Sequence, residues 1–94
     1  MSFSFAVSYS RLVSDSFSIK KEARAVTTKT WVKSNSNNLG KYAGMLFNNN
    51  ADKHNIIKTV LSAGYGANVG EQIYNALSDQ AINKIADNIK TFYN

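Results

Sequence analysis

Ninety-four residues, 44% of them hydrophobic, suffice for one domain with one modest core. There is no cysteine, which excludes disulfides, thiolate chemistry and cysteine-ligated zinc. There is no proline either, so Gly, Asn, Asp and Ser must make the turns.

The net charge of +5 is unevenly held. Residues 1–41 carry Arg11, Lys20, Lys21, Arg24, Lys29, Lys33 and Lys41 against only Asp15 and Glu22. The remainder balances four lysines with four acids. Such polarity points to a contact surface for something negative.

In chain order, Phe3, Phe5, Val7 and Tyr9 alternate with Ser4, Ala6 and Ser8, the pattern of a half-buried strand. Met1 to Ser10 lacks a basic n-region and a continuous apolar core, so a signal peptide is not expected. A turn at Val13–Ser16 leads to a second alternating stretch from Phe17 to Lys20. Val26, Thr28, Thr30 and Val32 then share one strand face, with Thr27, Lys29, Trp31 and Lys33 on the other. A bulge or turn near Lys21–Arg24 absorbs the change of parity. A helical alternative competes over the same residues, because Phe5, Tyr9, Leu12, Ser16, Ile19, Ala23 and Val26 are spaced three and four apart. Its drawback is the many Ser and Thr residues it would place in a helix.

Ser34-Asn35-Ser36-Asn37-Asn38 reads as a polar connector. Leu39, Tyr42, Ala43, Leu46 and Phe47 follow at helical spacing, and Asn48-Asn49-Asn50 ends that helix. Asp52 can cap the next one, whose buried face is Ile56, Ile57, Val60 and Leu61. Gly64-Tyr65-Gly66 stops it. Asn68 and Glu71 suggest a capping box, and Ser78-Asp79 a further cap before Ile82, Ile85, Ala86, Ile89 and Phe92. Residues 69–92 are one bent rod or two helices. The fold class expected is therefore α+β, an N-terminal hairpin or three-stranded sheet (about residues 1–33) on three to four helices (about 38–94), with all-α as the alternative. All 94 residues form one domain. The longest weakly polar run, Val60–Gly70, is too short to span a bilayer.

The sharpest candidate chemistry is Lys29-Thr30-Trp31-Val32-Lys33. On a strand, an indole between two ammonium groups would stack a nucleobase and meet phosphate, with Lys20, Lys21 and Arg24 extending the strip. The bland alternative packs Trp31 into the core under the lysine stems. The glycines of residues 63–70 run G-x-G-x-x-x-G after a helix, unlike either phosphate-binding fingerprint, so a flexible helix–helix connection with an exposed Tyr65 is expected. As a helix-turn-helix the segment fails, for its second helix has no Lys or Arg between Val69 and Leu77. His54 is the only histidine, with no second ligand for a metal and no nucleophile placed beside it.

These readings exclude an evident catalytic constellation, cofactor or metal. They leave a small binding protein, an inhibitor or adaptor meeting an acidic protein surface through Lys20, Lys21, Arg24, Lys29, Trp31, Lys33 and Tyr65, with Tyr93 a further aromatic anchor. The alternative is RNA or single-stranded DNA bound by Lys29, Trp31 and Lys33. Absence of cysteine and of a membrane segment makes the cytoplasm the expected location.

Overall fold

A computed structural model describes residues 16–94, and these contain helices and no strand. Helix α1 spans Ser16–Ala25, α2 Lys29–Ser34, α3 Ser36–Leu46, α4 Lys53–Tyr65, α5 Ala67–Asn75 and α6 Asp79–Tyr93. The α+β expectation is thereby overturned in favour of the all-α alternative. The proposed first strand, residues 3–9, lies outside the described residues.

Both remaining strands are helical for identifiable reasons. Ile19, Ala23 and Val26 fall at i, i+4 and i+7, and all three are buried, so a helix hides them together on one stripe. Thr28 then restarts the chain: its hydroxyl accepts from the Trp31 amide at 3.0 Å and caps α2. Trp31 and Val32 are neighbours in sequence and both buried, which one face of a strand cannot achieve. The alternation of Val26, Thr28, Thr30 and Val32 is thus a coincidence of β-branched residues around a helix start.

The polar connector contracts to a single joint. Asn35 is buried, and its side-chain amide donates to the Trp31 carbonyl at 2.9 Å, satisfying both groups where α2 ends and α3 begins. The remaining stops are mostly those the sequence signals. Asp52 caps α4 by accepting from the Asn55 amide at 3.1 Å, and Ser78 caps α6 by accepting from the Ala81 amide at 3.1 Å. Ser78→Ala is expected to cost about 1 kcal/mol of unfolding free energy, read from urea titration. The Asn68 capping box does not form, because α5 starts earlier, directly after Gly66.

Gly66 is the whole α4–α5 connection, at φ 92°, a region that excludes side-chain-bearing residues. Gly70 lies where the two backbones touch: a Cβ there would meet the Leu61 carbonyl group and the Ser62 Cα at 2.7 Å. The glycine run is a tight corner, not the flexible linker expected.

One cluster of buried side chains draws on all six helices of the described residues, from Ile19 and Ala23 through Leu39, Ile57, Leu61 and Ile73 to Ile85 and Ile89. α6 packs against α2, α3 and α4, while α1 rests on α5. No helix among the described residues is long and apolar enough to cross a membrane.

Candidate functional site

Trp31 keeps only 8% of its surface and Tyr65 only 1%. Neither presents its ring on the surface. Their burial is chemical as well as steric: the Tyr65 hydroxyl donates to the Glu22 carboxylate, bringing α4 to α1. Burial pushes the Tyr65 phenol well above its usual range, and the hydrogen bond and negative charge of Glu22 push the same way. A hydrogen bond from the Trp31 side chain acts in the opposite sense. The indole lies in the core, so Lys29, Trp31 and Lys33 do not together present a stacking platform. On α2, Lys29 and Lys33 are one helical turn apart and exposed, whereas Trp31 between them turns inward.

The contact between Tyr65 and Glu22 has an electrostatic consequence. Residues 16–41 hold six cations and a single acid, Glu22. That acid is half-buried and turned toward Tyr65, two residues from both Lys20 and Arg24 and so away from the stripe those two exposed cations share.

Two of those cations, Lys20 and Arg24, border a groove of about 520 Å³. One wall is α1 and its exit, with Lys20, Ala23, Arg24 and Thr27. The other is the turn from α5 into α6, with Ala76, Leu77 and Ser78, and then Ala81. The helical period explains the first wall, since residues 20, 23, 24 and 27 recur at i, i+3, i+4 and i+7. The inner edge is anchored: the Asn88 side-chain amide of α6 donates to the Thr27 carbonyl at 2.5 Å. Ala23 is buried at the base, the small side chains of Ala76 and Ala81 on the far wall leave the groove open and apolar, and Lys20 and Arg24 make its rim cationic. Farther along α1, Phe17 is 67% exposed and aligns with Lys20, Lys21 and Arg24 at i, i+3, i+4 and i+7.

Lys20 and Arg24 line this groove, and Lys21 is exposed on the same helix without lining it. Lys29 and Lys33 sit on a separate helix and do not line the groove. Sequence reasoning missed Phe17, Leu77 and the three alanines. The spacing 17-20-21-24 was visible, but only to a helical reading of the segment; the far wall comes from residues over fifty positions away and leaves no local signal.

A second cleft of about 500 Å³ lies between the α3–α4 turn and the end of α6, bordered by Phe47, Asn48, Lys53, Lys90 and Thr91. It is the more polar of the two, and one of its cations, Lys90, lies 3.9 Å from Asp87.

His54 is not isolated. Its Nδ1 lies 2.7 Å from the Tyr74 hydroxyl and its Nε2 3.1 Å from an Asp79 carboxylate oxygen. This contact joins the start of α4 to α5 and to the first turn of α6. Among the described residues no group of three or more His, Cys, Asp or Glu could hold a metal ion.

Comparisons of the chain with known protein families, with curated proteins and with solved structures returned no match.

Proposed function

We propose that this chain is a small non-enzymatic binding protein, an inhibitor or adaptor, whose α1 groove captures an acidic amphipathic segment of a protein partner. The cytoplasm is its proposed setting, in keeping with a chain that uses no cysteine. One observation carries the reading: an apolar groove lies directly beneath a cationic rim whose local acid, Glu22, is turned toward Tyr65. The groove calls for aliphatic side chains, and Lys20 and Arg24 call for carboxylates flanking them. A groove between helices suits a helical ligand that presents both on one face. Phe17 supplies an aromatic contact at the end of the same stripe. A nucleic acid would use the charges but gain nothing from the apolar groove, and the indole that would have stacked its bases is in the core.

The test is fluorescence anisotropy with a labelled Glu/Leu amphipathic peptide, against a labelled single-stranded RNA as competitor. Lys20→Glu/Arg24→Glu is expected to weaken peptide binding at least about tenfold, mainly by removing attraction at the rim. Ala76→Leu, which fills the groove without touching charge, is expected to weaken the peptide and leave RNA unaffected. Tight RNA binding that resists Ala76→Leu, with no measurable peptide binding, would sink the proposal in favour of nucleic acid.

A further inference from the structure

The geometry points to Tyr74 as a nucleophilic phenol, activated by His54 and Asp79, that accepts an acyl group from an activated ester. It is a modification site distinct from the α1 groove and independent of what that groove binds.

Asp79 sets the tautomer of His54. An ionised carboxylate only accepts hydrogen bonds, so its oxygen 3.1 Å from His54 Nε2 selects the form that carries the proton on Nε2. That choice leaves the Nδ1 lone pair free, and Nδ1 is the atom 2.7 Å from the Tyr74 oxygen. The phenol O–H then donates to the imidazole, and the imidazole N–H to the carboxylate. A hydroxyl, a base within hydrogen-bond reach and a third group orienting that base are the parts an activated nucleophile requires.

The surroundings add two things. The imidazole and phenol rings meet edge to face, centroids 5.9 Å apart, which holds the nitrogen in line with the hydroxyl. The Lys58 ammonium lies 5.7 Å from the centre of the Tyr74 ring, so positive charge is present where the phenol gains negative character during attack. Three helices supply the parts: His54 and Lys58 from α4, Tyr74 from α5 and Asp79 from α6. Their relative positions depend on the corner at Gly66 and the Ser78 cap.

In the transfer step the Tyr74 oxygen attacks the carbonyl carbon of the ester while its proton passes to His54 Nδ1. The C–O bond to the leaving group breaks, and the alcohol portion departs as its anion with the bonding electron pair. Acyl-Tyr74 remains, beside an imidazolium paired with Asp79. The departing anion, or water, then takes up the proton.

The other described tyrosines provide the contrast. Tyr42 and Tyr65 are buried, and the Tyr93 hydroxyl donates to the Ser36 carbonyl. The experiment treats the full chain with p-nitrophenyl acetate and maps acetyl groups by mass spectrometry before and after neutral hydroxylamine, which removes the ester from tyrosine but leaves the amide on lysine. The expected result is a hydroxylamine-sensitive acetyl group on Tyr74, formed about 100-fold faster than on N-acetyltyrosinamide. His54→Gln should remove most of that advantage, and Asp79→Asn much of it. Asp79 is a surface residue with 87% of its side chain exposed, so Asp79→Asn keeps the test valid should His54→Gln perturb the fold, as far-ultraviolet circular dichroism would reveal. Acetylation of Tyr74 no faster than the free amino-acid derivative, or a rate unchanged in both variants, overturns the assignment.

Discussion

Gly70→Ala is expected to lower the unfolding free energy by about 3 kcal/mol. The added methyl would sit 2.7 Å from the carbonyl carbon and oxygen of Leu61 and from the Ser62 Cα. All three are main-chain atoms of α4, so no rotamer change can relieve the clash, and the helices must separate. Separation loosens Ile73 and Val69 against Leu61 and Ile57, all of them nearly inaccessible to solvent. For a chain of this size the loss corresponds to a fall in Tm of roughly 15 °C. Gly44→Ala makes the control. A methyl added at that position on α3 would have nothing within 4 Å, and alanine's better helix propensity should raise stability by about 0.5 kcal/mol. Opposite shifts in the urea midpoint are therefore expected from one chemical change. Equal midpoints would show that α4 and α5 do not approach this closely.

Tyr65→Phe is expected to cost about 2 kcal/mol at neutral pH, although it removes one oxygen. That hydroxyl donates to Glu22. Phenylalanine cannot, and a half-buried carboxylate loses its donor. A second signature lies in alkali. The Tyr65 phenol is shifted upward, first by burial and then by Glu22. The folded state thus holds this proton more tightly than the unfolded chain, whose phenols titrate near about pH 10. The stabilisation is complete below that value and is lost as pH rises above it, because only the unfolded state then releases the proton. The urea midpoint of the wild-type chain should fall above about pH 10, and Tyr65→Phe should flatten that fall. Tyr93, raised in the same direction by burial, contributes to what remains. A wild-type and variant that decline in parallel would show that Tyr65 does not stay protonated in the fold.

The same contact bears on function as well. Glu22 is turned toward Tyr65 and away from the stripe of Lys20 and Arg24, so the rim of the groove itself is cationic.

The helices from α3 onward follow signals carried within a few residues. The apolar stripe 39-42-43-46, the Asp52 and Ser78 caps and the Gly66 stop act through contacts one turn away, and local contacts can be read from local spacing. Residues 17–33 carried two periods at once, one of two and one of three to four. Local propensity favoured the first, because Val, Thr and Trp suit strands. Burial decided for the second: Ile19, Ala23, Val26, Trp31 and Val32 can all reach a core made by α4, α5 and α6 only along helical stripes. That choice belongs to tertiary structure, since the energy of hiding five side chains exceeds the small differences in backbone preference.

The candidate sites divide along the same line. The cationic half was visible in composition, as charge depends on nothing but residue identity. Which cations share a surface, which aromatics are withdrawn from it, and that His54 meets Tyr74 and Asp79 were set by packing between distant segments. Twenty residues separate His54 from Tyr74, and forty-three separate Tyr65 from Glu22. No periodicity spans such gaps; only the folding of helix on helix closes them.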